Sequence, residues 1–372
     1  MIKLSIGKKI ATNAIRQLDI LGISDFMDSL DFSRDIHVYL GDRWDQFDKV
    51  HHLICNFLLL GKEIENVDLN IPLIKKLVEA LEPFDVIVFS PSGASLGGLS
   101  LVRFRGVWLF VETQHVGMTL YFGGDSIGLA RRLRVHRNGK ALDLCSGPGI
   151  QALVLALSGM HVTSIDINPL ASKLCSLNAE LNGVKDLVEV YTSNLYDVLP
   201  KGCSYDLIVA NPPLLPIPRS VPYPFIGDGG IDGLTLTTRI LNGAKTRLTQ
   251  EGMLILIGMT TGTIEGINTK DKIKKALAST GLSGCMTIIN TYDVSIDSGY
   301  VRGIAATSAA FAHQRFTSMD EAIESVYEGY HSMNCESVCT FVLRAWKDFQ
   351  GLGSLYIQDI SSTKNSQGTW IL

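Results

Sequence analysis

The chain has 372 residues, 46% of them hydrophobic and 19% charged, with a formal net charge of −4. That is enough apolar material for two packed cores, or for one domain with sizeable additions. The slightly acidic balance excludes a broad basic surface of the kind that holds nucleic acid through clustered Lys and Arg.

Residues 1 to about 85 read as helical, with apolar stripes at Ile10, Ile15, Leu18 and Leu21, at Val50, Leu53, Ile54, Phe57 and Leu58, and at Leu73, Ile74, Leu77 and Leu81. Such stripes are core and carry no chemistry. Pro83, Pro91 and the Ser/Gly-rich stretch 90–100 then mark a transition. Two short alternating runs, 101–104 and 107–111, joined by Arg105-Gly106, predict a β-hairpin. A helix is expected from about Ser126, as N-cap, to Leu133. The basic run Arg131-Arg132-Leu133-Arg134, with His136 and Arg137, reads as a solvated helix end.

Between 140 and 260, strand patterns (141–144, 161–166, 188–192, 207–210 and 253–258) alternate with helical ones (150–158, 169–182 and 234–248). This rhythm predicts parallel βαβ units in an open, doubly wound α/β sheet. Strand-like segments at 286–294 and 337–345 complete the sheet in antiparallel fashion, with an amphipathic helix over 318–330 between them. The segment 212–224 holds six of the twelve prolines and is therefore an extended, restricted loop. Residues after about 360 form a polar tail.

Seven cysteines at irregular spacing argue against a disulfide framework and for a reducing compartment. Cys335 and Cys339 lack the second ligand pair of a zinc site, so no metal is expected. No segment approaches the roughly 20 apolar residues of a membrane span, and the N-terminus lacks a signal pattern, so a cytoplasmic protein without membrane attachment is expected.

In a doubly wound fold the first strand-to-helix turn binds a nucleotide-like ligand. Here it reads Asp143-Leu144-Cys145-Ser146-Gly147-Pro148-Gly149, with Gly147 and Gly149 letting the backbone approach that ligand. The next strand ends in Asp166, 23 residues after Asp143, where a carboxylate can accept hydrogen bonds from ribose hydroxyls. The full dinucleotide glycine spacing is missing, because Ile150, Gln151 and Ala152 follow Gly149. Asp143 suits a cationic methyl donor better than a pyrophosphate, which prefers unopposed N–H groups.

The hydrophobic run 206–210 delivers Asn211 to the end of its strand, and Pro212-Pro213 hold the backbone extended behind it. The Asn211 side-chain oxygen and the Pro212 carbonyl can both accept from an acceptor N–H₂ and turn its lone pair toward the donor.

On these residues the chain from about Tyr121 to Gly258 resembles the class I S-adenosylmethionine-dependent methyltransferases that carry an Asn-Pro-Pro motif. It is most similar to the release-factor glutamine N-methyltransferase and methyltransferase small-domain group. The resemblance rests on 143–149, on Asp166-Ile167-Asn168-Pro169-Leu170-Ala171, on Asn211-Pro212-Pro213 and on the glycine-rich turn 227–234. It implies a Rossmann-like sheet with an antiparallel final strand, S-adenosyl-L-methionine as cofactor and transfer to nitrogen. It also implies donor contacts at Asp143, Cys145, Gly147, Gly149, Asp166, Ile167, Asn194 and Asn211. Acceptor contacts are implied at Tyr121, Asp125, Pro213, Leu214, Tyr223 and Phe225, with Asn211 and Pro212 catalytic. In domain terms it predicts a helical part over 1–95 for substrate selection or dimerisation, a hairpin connector over 96–125, a methyltransferase domain over 126–360 and a tail.

Two positions depart from the family pattern. Leu214 stands where relatives carry an aromatic that stacks on a flat acceptor, a role Tyr223 or Phe225 would have to take over. Asn194 stands where an acid faces the adenine amino group. The expected acceptor is a protein side-chain amide or a small amine-bearing metabolite. RNA or DNA base methylation, and a catalytically weakened S-adenosylmethionine-binding protein, are the alternatives. A nicotinamide-dependent oxidoreductase fits neither the glycine spacing nor Asn211-Pro212-Pro213. His115 and His313 read as surface or satisfied histidines, and Cys145 as a small packing residue.

Overall fold

A computed structural model describes residues 8–30, 40–42, 44–115, 117–133, 135, 138–263, 266–348 and 353–361. Arg134, His136 and Arg137 of the basic run, and the tail from 362 onward, lie outside the described residues. The chain forms two compact units. One contains residues up to Asn138 together with Ser146–Asn194; the other contains Gly139–Cys145 and Leu195 onward.

The first unit opens with α1 (Lys8–Ile20), α2 (Ile23–Asp28) and α3 (Lys49–Ile54). A small antiparallel sheet that the helical periodicity gave no sign of follows. It joins β1 (Ile64–Glu65) to β3 (Gly93–Ser95), and β3 to β2 (Val88–Phe89). These strands have two or three residues each, too few to show a period. Between them α4 (Pro72–Leu81) starts on a proline, whose missing N–H costs nothing in a helix's first turn. It buries Ile74, Leu77, Val78 and Leu81.

The expected hairpin is β4 (Leu99–Phe104) with β5 (Val107–Glu112), turning on Arg105 and Gly106 at φ 52° and 80°. Positive φ at both central residues is the geometry that matches strand twist. The next helix, α5 (Gly124–Ala130), starts two residues before the expected N-cap. Gly123 occupies that position, while Ser126 lies inside the first turn and is buried.

In the same unit α6 (Ile150–Leu157), β7 (His161–Asp166), α7 (Pro169–Leu181) and β8 (Val188–Thr192) follow, with β7 and β8 parallel. The second unit contributes β6 (Lys140–Leu144), β9 (Tyr205–Ala210), α8 (Thr235–Ala244) and β10 (Leu248–Thr263). Here β6 pairs with β9, and β9 with β10, all parallel. Leu207–Ala210 are 0–1% exposed, as a parallel strand covered on both faces requires. The chain continues through the short β11 (Gly266–Ile267), antiparallel to β10, then α9 (Lys270–Thr280), β12 (Leu282–Asp293), α10 (Gly299–Phe311) and α11 (Met319–Ser332) to β13 (Ser337–Lys347) and β14 (Leu355–Asp359). β13 lies antiparallel between β10 and β12, and β14 pairs parallel with β12. The fold is the mixed, Rossmann-like α/β class, mostly parallel with an antiparallel strand near its C-terminus.

Candidate active site

In the first unit, the segment Ser146–Gly149 turns tightly into α6. The Gly149 N–H donates to the Ser146 carbonyl at 3.0 Å, and the Ser146 N–H reaches the Ile165 carbonyl of β7 at 3.2 Å. Gly149 sits at φ 95°, and a Cβ there would come within 2.5 Å of the Cys175 sulfur, so both backbone angle and space demand glycine. Gly147 adopts φ 54° and faces open space, the nearest atom to a Cβ being the Tyr121 carbonyl oxygen at 3.9 Å.

Asp166 is held from both sides. One carboxylate oxygen accepts the Gly147 N–H at 2.9 Å and the other the Asn168 N–H at 2.8 Å. Burial pushes its carboxyl above the usual carboxylate range, against the pull of the N–H groups of Asn168, Gly147 and Ile167. Each oxygen keeps a lone pair for a further donor. Beside it the Ser193 N–H donates to the Asp166 carbonyl at 2.9 Å, which brings Asn194 to the end of β8 next to Asp166. Ile167 is an apolar side chain left 52% exposed at the same edge.

The stretch before α5 runs past this loop. The Asn168 amide donates to the Thr119 carbonyl at 3.1 Å, and the Gln151 amide to the Ser126 carbonyl at 3.0 Å. Tyr121 is exposed, and its hydroxyl folds back over Gly123. Asp125 bonds the Ser126 N–H and hydroxyl.

One support went unread in the sequence. Asn178 is fully buried; its oxygen accepts the Phe110 N–H at 2.7 Å, and its nitrogen donates to the carbonyls of Phe110 and Pro148, both at 2.9 Å. Asn182 does the same for the Trp108 N–H and C=O, at 2.9 and 2.7 Å. The two side chains, four residues apart on α7, satisfy the outer edge of β5 as a third strand would, and Asn178 also ties down the Ser146–Gly149 turn through Pro148. The signal was the i, i+4 asparagine pair itself.

In the second unit, β6 and β9 pair Asp143 with Val209 and Leu144 with Ala210. Asp143, Cys145 and Asn211 therefore leave neighbouring strand ends. Asp143 is 1% exposed, and Cys145 carries φ 55°, a left-handed conformation costly for a residue with a Cβ. Pro212 is buried, Pro213 half-buried and Leu214 7% exposed. The glycine-rich turn runs back along this loop. The Leu215 N–H donates to Gly227 at 2.9 Å, the Gly229 N–H to Leu215 at 2.9 Å and the Ile217 N–H to Gly230 at 3.0 Å. Tyr223 is half-buried against Gly227, and Phe225 is 67% exposed. Leu214 thus belongs to the core, and the aromatic side chains of the loop stand nine and eleven residues further on. His115 is an exposed surface residue beside Glu112, and His313 is exposed as well.

A nucleoside donor asks for acceptors at its hydroxyls, polar groups at its charged end and an apolar cover for its base. Asp166 supplies the first, Ile167 an exposed apolar surface, and the buried Ser146 hydroxyl has no protein partner among the described residues. These residues fit such a group.

A family model, the methyltransferase small domain, matches residues 126–277. The chain is 33% identical over 162 residues to a ribosomal protein uL3 glutamine methyltransferase of Bradyrhizobium diazoefficiens, covering 40% of this chain and 50% of that protein. It therefore spans about half the length of that relative. It is 32% identical over 150 residues to a Methanocaldococcus jannaschii protein assigned by its name as a protein N5-glutamine methyltransferase, covering 39% of this chain and 74% of that one. Among solved structures it is similar to a ribosomal protein L11 methylase of Lactobacillus delbrueckii subsp. bulgaricus. There the identity is 21% and the TM-score 0.31, over 42% of this chain and 67% of that one, a likeness that bears on neither substrate nor site. By these matches the chain belongs to the class I S-adenosylmethionine-dependent methyltransferases, in the N5-glutamine methyltransferase group.

Proposed function

We propose that this chain transfers a methyl group from S-adenosylmethionine to nitrogen, with a protein side-chain amide of the glutamine type as acceptor. The observation that carries the reading is Asn211, delivered by the buried run Leu207–Ala210 and followed by Pro212 and Pro213. Bound, the donor supplies an electrophilic methyl group on a sulfonium. Asp166 would accept from its ribose hydroxyls, and Ile167 and Asn194 would hold its base. The Asn211 oxygen and the Pro212 carbonyl accept the two N–H bonds of the acceptor amide. Its nitrogen lone pair would face the methyl carbon, the N–C bond forming as the C–S bond breaks and the thioether S-adenosylhomocysteine leaves; those two oxygens would stabilise the positive charge that grows on the N–H groups until one proton passes to solvent. Alignment of this kind contributes several kcal/mol without a strong base.

Leu214 supports an amide over a nucleobase acceptor. A nucleobase calls for a broad flat wall, whereas a small amide does not, and the first residue after Pro213 is an aliphatic side chain turned into the core. The relatives' names agree with an amide acceptor. The family model starts at residue 126, and the part over 1–95, which lies outside it, is the candidate for substrate selection or dimerisation, with 96–125 as connector.

The test is methyl transfer from labelled S-adenosylmethionine to glutamine-bearing ribosomal proteins, set against ribosomal RNA. Incorporation into protein that is lost in Asn211→Ala, with donor affinity kept, supports the reading. Incorporation into RNA alone, or full activity in Asn211→Ala, refutes it.

A further inference from the structure

The loop that follows Asn211 has few backbone donors of its own. Prolines at 212, 213, 216, 218, 222 and 224 remove six N–H donors, so the segment can neither zip into a sheet nor coil into a helix. What it offers in abundance is carbonyl oxygen, and the donors must come from elsewhere. One comes from the glycine-rich turn, the Gly229 N–H to Leu215, and others from the stretch that the chain inserts between β12 and β13, namely α10, α11 and the turn joining them.

Three contacts meet the loop within five residues. The Tyr330 hydroxyl donates to the Pro216 carbonyl at 2.6 Å, and the Arg315 guanidinium to the Ser220 carbonyl at 2.7 Å. Gly329 lets α11 approach so closely that a Cβ there would come within 2.9 Å of the Pro218 ring.

The Tyr330 contact is built more deeply than its neighbours. The side chain is 0% exposed, and its oxygen stands 3.0 Å from that of Tyr300 on α10. A carbonyl can only accept, so the single Tyr330 proton points at Pro216, and Tyr300 donates to the Tyr330 oxygen. A two-phenol relay therefore ends on the acceptor loop. Burial pushes both phenols well above their ordinary pKa, so the relay stays protonated across the physiological range. Tyr300 in turn stacks on Tyr292 at the end of β12, with ring centroids 5.5 Å apart, which ties the relay to the sheet.

We propose that α10 and α11 form a clamp on the acceptor loop, and that Tyr330 is a positioning residue for methyl transfer, holding Asn211-Pro212-Pro213 in place through the Pro216 carbonyl. The catalytic half of this inference rests on the reading given under Proposed function; the clamp itself does not.

Tyr330→Phe removes one oxygen and keeps the buried ring, so the full-length variant retains its packing. Two measurements separate the claims. Hydrogen exchange at the Leu215, Ile217 and Val221 amides should be about 10-fold faster than in the wild type, with the Gly149 and Leu153 amides unchanged. Acceptor turnover should fall on the order of 10-fold in kcat, with the S-adenosylmethionine Kd within about twofold of wild type. Arg315→Ala, a surface truncation, should show the same pattern more weakly.

Unchanged exchange at 215–221 would overturn the clamp. Faster exchange with wild-type kcat would overturn the positioning role, and so would a lowered melting temperature accompanied by no change in kcat. A wild-type protein that binds S-adenosylmethionine but methylates no nitrogen would overturn the function proposed above and the catalytic half with it; the exchange result then judges the clamp alone.

Discussion

Replacing Asn178 by Leu tests how the donor turn is supported, because it keeps the volume and deletes three hydrogen bonds to Phe110 and Pro148. A buried hydrogen bond contributes about 1 kcal/mol net, and more where a partner is left without a mate. The expected loss is therefore about 3 kcal/mol of unfolding free energy, read from urea melts of the donor-free protein. Asn182→Leu is the matched control. It cuts comparable bonds to Trp108 on the same helix and strand, but its side chain makes no bond to Pro148. Both variants should be destabilised, yet only Asn178→Leu should weaken S-adenosylmethionine, by about 10-fold, the equivalent of one hydrogen bond. Equal donor affinities in the two variants would refute the claim that Asn178 supports the turn. Wild-type stability in Asn178→Leu would refute the hydrogen-bond accounting itself.

Gly149→Ala combines a backbone cost of about 1–2 kcal/mol at φ 95° with a clash against the fully buried Cys175. Donor binding measured by calorimetry should collapse, and adding Cys175→Ala should restore only the part due to the clash; complete restoration would show that φ is not limiting. Asp166 gives a pH signature. Its folded-state carboxyl is raised, so the donor-free protein loses stability as pH rises from the unfolded value, near 3.9, through the folded one. Ribose hydroxyls favour the ionised form, so donor affinity should fall on acidification at a pH above the ordinary aspartate range. Asp166→Asn should bind weakly with a flat profile, and a matching slope in that variant would move the titration to another group.

Much of the chemistry was written in local sequence. Strand 161–166, the Arg105-Gly106 turn, the Asp143–Gly149 turn and the Asn211-Pro212-Pro213 exit are short-range features, in which backbone angles, proline and alternating apolar residues fix the outcome within a few positions. What escaped such reading depended on partners distant in the chain. Asn178 and Asn182 look like ordinary polar helix residues until β5, some 70 residues earlier, presents its open edge. Ser126 reads as a cap, but the helix begins two residues sooner and the hydroxyl is buried. Leu214 reads as a missing aromatic, and tertiary packing turns it into core. Tyr330 sits 114 residues from Pro216, and no period or motif links them. Sequence by itself determined the alternating strands and helices between 140 and 260 and the short turns at their ends, because those follow from local propensity and spacing. Only tertiary structure decided which side chains meet the Pro148 and Pro216 carbonyls, because a buried carbonyl takes its donor from whichever side chain the fold brings within hydrogen-bonding distance.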